Sequence, residues 1–371
     1  GIVIYVQFGF WNEQSSDIAL GASMAGLALL PVAAFASMWR RDDESNTRAS
    51  LMLLASAAAL TFAALLLITP AWLAPVMALA VSAPLLLCYW RRSAVGLHIA
   101  AWFSAAVVLI TLIVTPGIGG EFSHLGDSPS DTDIFRAALR WIAAATPFAI
   151  MAFIGRGALS LRIGEGIAVA LLYGVIAQIL PSAPLAWIAA LAAMAMIVWQ
   201  PGRSAAWAAA LTISGLWALE PLATWAIAGA LAILGEPFLL ESAITPADLA
   251  LRVLPFAACF GLLFVRGKDS RIELRAPAAL ATGILAAIIL HSLYKQLFGI
   301  GSLLHFEFYG MGERTVWQGA LLLAAYGVWQ GPRKPITRPL TLGLIAIALA
   351  HFLWFTVLLH NPLITVCLLY T

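Results

Sequence analysis

The chain has 371 residues, of which 62% are hydrophobic and 10% charged, with a formal net charge of +2. Soluble domains carry about a quarter charged residues, and the mean hydropathy here is +0.95, so a water-soluble enzyme or binding domain is excluded. No Lys/Arg-rich run is interleaved with aromatic residues, which sets nucleic-acid binding aside.

Crossing a hydrocarbon core about 30 Å thick takes about 20 apolar residues as helix. In chain order the predicted spans are 18–39, 51–69, 72–90, 95–115, 137–155, 163–180, 183–200, 204–219, 249–265, 278–298, 315–330 and 340–359. They are rich in Ala and Leu and show no alternating polar face, so they read as helices rather than barrel strands. The expected fold is an all-α polytopic transmembrane bundle of about twelve crossings in a single multi-spanning membrane domain. The chain opens Gly1-Ile2-Val3 and closes just after Asn361-Pro362, and neither end has the pattern of a signal peptide. It reads as a fragment of a longer membrane protein.

Fifteen of the 20 Lys/Arg residues fall in six short turns: Arg40/Arg41/Arg48, Arg91/Arg92, Arg156/Arg162, Arg203, Arg266/Lys268/Arg271/Arg275 and Arg333/Lys334/Arg338. Basic turns mark the cytoplasmic side. The opposite side then receives the acidic outer loop 116–135, region 220–248 and the outer loop 299–314. Loop 116–135 carries Glu121, Asp127, Asp131 and Asp133, and region 220–248 carries Glu220, Glu236, Glu241 and Asp248. Neither has a Lys or Arg.

One stretch resists simple alternation. Arg203 and Arg266 should share a side, so an even number of crossings must separate them, yet three apolar pieces lie between. The reading adopted makes 221–235 a re-entrant segment entered at Glu220-Pro221, since Pro is well tolerated in a first helical turn. The competing reading is one long helix kinked at Pro221. The basic turns recur as Trp39-Arg40-Arg41 and Trp90-Arg91-Arg92, and as Trp199-Gln200-Pro201-Gly202-Arg203 and Trp329-Gln330-Gly331-Pro332-Arg333. Such repetition describes a string of helical hairpins.

Three further features carry a family resemblance. A helix closes as Ser292-Leu293-Tyr294-Lys295-Gln296-Leu297-Phe298-Gly299, another opens Glu313-Arg314-Thr315-Val316-Trp317, and a span ends His360-Asn361-Pro362-Leu363. With the Ala/Leu/Trp-rich spans and Arg turns, these resemble the large bacterial membrane proteins grouped as domain of unknown function 2339. The specific part covers 290–363. The resemblance implies a long polytopic chain in a bacterial envelope and supplies no activity.

Ionisable side chains inside a bilayer cost several kcal/mol unless paired or hydrated, so each is a candidate functional residue. His291 and Lys295 are four apart and share a helix face. His351 lies at a comparable depth on the last span, and His305, Glu307, Glu313, Arg314 and Gln318 lie between. His291, Lys295, Glu307, Arg314 and His351 are the candidate binding residues of an outward-facing cavity. Against this, Lys295 reads as snorkelling to the interface, Glu313-Arg314 as a local ion pair, and the histidines as bonded to backbone carbonyls.

Arg252, with Pro255 nearby, is expected to pair with Glu220 or Glu236 across the re-entrant segment. This makes Glu220 and Arg252 a second candidate site, because broken membrane helices mark binding sites in transporters, although the preferred reading is a structural ion pair. The acidic loop supplies a third, Asp131-Thr132-Asp133 with Glu121, His124 and Asp127, which matches the acidic pairs of membrane transferases. The adjoining Ser128-Pro129-Ser130 reads as a solvated linker, however, and that reading is preferred. Glu165 reads as a helix-start acid. Cys88, Cys259 and Cys367 lie in apolar runs and read as packing residues. No metal-ligand spacing, phosphate loop or nucleophile elbow is present, so no metal or cofactor is expected.

The leading functional expectation is a bacterial inner-membrane protein that binds or transports a small or lipid-linked molecule, with membrane lipids as partners. The alternatives are an integral-membrane transferase using a lipid-linked glycan or acyl donor, and a structural membrane scaffold.

Overall fold

The computed structural model describes residues 17–39, 46–91, 95–125, 133–154, 158–233, 238–266, 274–330 and 337–353, and these contain helices and no strand. The helices are α1 (Asp17–Trp39), α2 (Asn46–Ile68), α3 (Ala74–Arg91), α4 (Val95–Val114), α5 (Ile118–His124), α6 (Ile134–Ile154) and α7 (Ala158–Ile179). They continue with α8 (Leu185–Trp199), α9 (Ser204–Ile233), α10 (Leu254–Arg266), α11 (Arg275–Phe298), α12 (Leu303–Gln330) and α13 (Thr337–His351). A helical turn Pro246–Asp248 and a π-helical turn Leu249–Val253 run directly into α10.

Eight helical segments among the described residues are long and apolar enough to cross a membrane. They are Asp17–Met38, Ala71–Arg91, Gly96–Val114, Ile134–Ile154, Leu159–Ile179, Ser204–Ala232, Leu240–Arg266 and Arg275–Phe298. Shorter apolar helices lie at Met52–Ile68, Leu185–Trp199 and Arg338–Ala350.

Two boundaries differ from expectation. Helix α9 runs unbroken from Ser204 to Ile233 with Pro221 inside it, so 221–235 is not a separate re-entrant segment. Proline removes one helical hydrogen bond, a loss that membrane helices absorb through their neighbours. Parity is kept without re-entrance, because α9 and the Leu240–Arg266 segment are then the two apolar helices between Arg203 and Arg266. The segment 299–314, expected as a loop, is helical from Leu303.

The chain divides into two compact units, Gly1–Gly215 with Ala258–Ala276, and Leu216–Ala257 with Pro277–Thr371. In the first, α1 packs along α2, α3 along α4 and α6 along α7, while α3 and α4 both lean on α6. The core places Leu97, Ala101, Ala105, Val108 and Leu112 of α4 beside Ala138, Trp141, Ala145, Phe148 and Met151 of α6. Those intervals of three and four are one face of a helix. In the second unit α12 packs along α13.

Alanines fill much of the interior, and many large apolar side chains face outward. Ala101, Ala105, Ala144, Ala177, Ala190 and Ala193 are fully buried, whereas Leu29, Met52, Phe103, Phe153, Leu159 and Trp199 stand exposed. Membrane helices pack through small residues because lipid already solvates the large apolar ones. In water the same surface would be a continuous hydrophobic patch. The protein is therefore an integral membrane protein.

Candidate functional site

The principal site is built at the Phe298 end of α11. The helix stops there because Gly299 adopts φ +57°, the left-handed cap conformation that glycine takes without strain. The Ile300 N–H returns to the Lys295 carbonyl at 3.3 Å, the six-to-one bond of a Schellman cap. The Ile300 carbonyl then accepts from the Leu240 N–H at 2.8 Å. This ties the end of α11 to the irregular segment 238–245, which contains one 3₁₀ turn, Leu240–Ser242, with extended residues on either side.

Two α11 side chains make the same connection. The Lys295 ammonium donates to the Phe238 carbonyl and lies 5.3 Å from the centre of the Phe238 ring. The Gln296 amide donates to the Ile244 carbonyl at 3.3 Å. Lys295 is fully buried, so it does not snorkel to an open interface. Buried backbone carbonyls outside a helix need partners, and Lys295 and Gln296 supply them for Phe238 and Ile244.

One turn earlier, the Trp225 indole N–H donates to His291 Nδ1 at 3.0 Å. Indole nitrogen is only a donor, so Nδ1 must accept, and the proton of the neutral ring sits on Nε2. The half-buried His291 ring meets Phe238 edge-on at 4.9 Å and Trp225 at 5.7 Å between centroids. Its position among Trp225, Phe238 and Lys295 directs it to neighbouring protein. Ser292, beside it on α11, is fully buried, and its hydroxyl has no hydrogen-bond partner.

The structure thus gathers His291 and Lys295. Glu307 and Arg314 fall on α12 and His351 ends α13, but their side chains lie outside the described residues, as do those of His305 and Glu313. Sequence reasoning missed Trp225, Phe238, Ser292 and Gln296. Only Gly299, one residue past a predicted helix end, signalled the cap that fixes them.

Arg252 lies in the π-helical turn. Its Nη1 meets Glu220 Oε2 at 3.0 Å, its Nε meets Asp248 Oδ1 at 3.4 Å, and its guanidinium lies 5.7 Å from the Trp217 ring centre. Thr245 caps the preceding turn by accepting from the Asp248 N–H at 3.1 Å. Glu220 is paired while its side chain stays 82% exposed; Glu236 is outside the described residues.

The acidic loop differs most from expectation. Residues 118–124 form α5, and Glu121 is fully buried rather than solvated. Its carboxylate takes the Arg140 guanidinium on one oxygen and the Trp141 indole N–H on the other, the latter at 3.0 Å. Arg140 also reaches the Pro116 carbonyl at 3.2 Å, and the Gln178 amide donates to the Glu121 carbonyl at 3.0 Å. Arg140 lies inside a predicted span, and that position alone marks it as an intramembrane charge needing an acid. Asp133 caps α6 by accepting from the Phe135 N–H at 3.0 Å and pairs with Arg136 at 3.5 Å. Asp127 and Asp131 are outside the described residues, and so is the side chain of His124.

Glu165 is not a helix-start acid, since α7 begins at Ala158. It is buried and faces Arg203 Nε at 3.6 Å. Among the described residues no group of three or more His, Cys, Asp or Glu could hold a metal.

No family model, no curated protein and no solved structure matches the chain. The resemblance to domain of unknown function 2339 therefore rests on the residues quoted for it.

Proposed function

We propose that the protein is a multi-spanning protein of the bacterial inner membrane that binds a small or lipid-linked molecule at the Phe298 end of α11. Counted with the three shorter apolar helices and α12, the eight long helices give twelve crossings, built as hairpins with their basic turns in the cytoplasm. His291, Lys295, Glu307, Arg314 and His351 then line a cavity opening on the outer face. Membership of the family of domain of unknown function 2339 belongs to the same reading.

The observation that carries the reading is the His291–Trp225 bond beside the buried Lys295. A neutral, oriented imidazole and an ammonium on one helix face are the convergent polar groups that fix a ligand in an otherwise apolar site. The transferase reading has less support, because Glu121 and Asp133 are engaged in holding helices together.

The test is native mass spectrometry of protein released from its membrane in mild detergent. A discrete co-purifying species is expected in the wild type and depleted in His291→Phe, which keeps a ring against Phe238 but loses Nδ1. Identical spectra for the two proteins, with equal helix content, would remove the proposal.

A further inference from the structure

We propose that the groove between α12 and α13, at the end of the hairpin marked by Trp329 and Arg338, binds one anionic phospholipid. Its phosphate rests on Arg338 and an acyl chain runs along the apolar floor. This site is separate from the one at the Phe298 end of α11 and does not rest on it.

The first observation is the groove itself. Helix α12 packs along α13 within one compact unit, yet a space of about 400 Å³ remains against the two helices, within the range of about 300–1,000 Å³ found for ligand sites. Its walls include Leu322, Tyr326 and Trp329 of α12 and Arg338, Leu342 and Ile345 of α13. Leu322, Tyr326, Trp329 and Leu342 each keep about half or more of their surface exposed. In an integral membrane protein such surface is solvated by acyl chains.

The second observation is the order of groups along the groove. Trp329 is next to last in α12 and Arg338 is second in α13, so both stand at the mouth. By helical rise Tyr326 lies about 5 Å deeper, and Leu322 and Ile345 about 10 Å deeper. A phospholipid presents the same order, with a charged phosphate, then ester oxygens, then hydrocarbon. The Trp329 ring, apolar with one polar edge, suits the headgroup level. The Tyr326 hydroxyl accepts from the Gln330 amide at 3.0 Å, which leaves its own proton to donate to an ester or phosphate oxygen.

The third observation is the charge at the mouth. Arg136, Arg140, Arg203 and Arg252 each face a carboxylate. Arg338 lines the groove instead, and among the described residues no carboxylate pairs with it. A guanidinium matches phosphate oxygens with two parallel N–H bonds, and basic pockets between membrane helices hold anionic headgroups. Charge complementarity therefore selects an anionic lipid over an uncharged one, and over an apolar helix of another protein.

The full chain in maltoside detergent is titrated with phosphatidylglycerol, phosphatidylcholine and diacylglycerol of identical acyl chains, and bound lipid is counted by native mass spectrometry. Phosphatidylcholine carries its phosphate beside a fixed cation, and diacylglycerol carries none. Saturable binding of phosphatidylglycerol is expected, about tenfold tighter than either of the others. Arg338→Gln should weaken it about tenfold, the loss of a hydrogen bond to a charged group, with thermal unfolding unchanged. To locate the lipid, photoreactive p-benzoylphenylalanine replaces Leu342, which is 67% exposed, and native membranes are irradiated. An adduct with the mass of an anionic phospholipid is expected, and it should be lost when Arg338→Gln is added. Equal affinity for the three lipids, or binding unaltered in Arg338→Gln, overturns the proposal. So does the absence of a lipid adduct, or an adduct to a second copy of the chain or to another protein.

Discussion

Arg140 and Glu121, nineteen residues apart in sequence, form an ion pair that no solvent reaches. Burying two charges is expensive, and their attraction offsets the desolvation only while both partners are present. Arg140 Nε is buried without a partner, and the pair's other bonds, from Trp141 to Glu121 and from Arg140 to the Pro116 carbonyl, involve neutral groups that do not replace a lost charge. Arg140→Met or Glu121→Leu alone should each destabilise the protein by about 3–5 kcal/mol. The double variant should recover most of that loss, since a well-packed apolar pair often replaces a buried ion pair at little cost. Thermal unfolding in detergent across the four proteins measures the coupling. Additive losses would show that the two charges do not depend on each other.

Gly174 faces the same cluster from α7. A Cβ placed there would sit 2.2 Å from the Trp141 ring, the ring whose nitrogen bonds Glu121. Gly174→Ala should therefore push Trp141 away and lower stability by about 1–3 kcal/mol, the usual cost of overpacking. Combined with Trp141→Leu, the glycine change should cost much less than it does alone. The same thermal assay, supported by the change in tryptophan fluorescence, decides it.

The helices were legible in the sequence where apolar length alone defines them. The predicted span 72–90 is observed within Ala71–Arg91, and 278–298 within Arg275–Phe298. Composition works here because each segment must satisfy its own backbone, whatever its neighbours do. Pro221 misled for the converse reason. As a start signal it is strong in water, but α9 carries it internally. The site was legible only in part. His291 and Lys295 stood out as ionisable residues in an apolar run, whereas Trp225, Phe238 and Ser292 look like ordinary span residues. Their roles depend on a contact between segments 66 and 57 residues apart, which no local pattern encodes.

Arg252 is held by three groups at once, Glu220, Asp248 and the Trp217 ring. A planar guanidinium can serve all three, but a lysine ammonium is a point charge and cannot. Arg252→Lys should cost about 1 kcal/mol or more despite keeping the charge. Glu220→Gln should cost less than that, because the Glu220 side chain is 82% exposed and exposed pairs contribute about 0–1 kcal/mol. Equal losses for the two variants would mean that the Glu220 pair, rather than the fork, holds the π-helical turn.

The continuity of α9 leads to a topology that can be measured. The helix is 30 residues long, about 45 Å by helical rise, which exceeds a hydrocarbon core of about 30 Å. With one crossing by α9 and one by the Leu240–Arg266 segment, Gly202 and Arg266 are expected on one side and Glu241 on the other. Gly202 is exposed, with nothing near its Cβ position, so a cysteine there is tolerated. In a background with Cys88, Cys259 and Cys367 replaced, Gly202→Cys and Arg266→Cys should react with an impermeant maleimide only in inside-out vesicles. Glu241→Cys should react in right-side-out vesicles. Labelling of all three from a single side would contradict the crossing of α9 and, with it, the placement of Lys295 and His291 on the outer face.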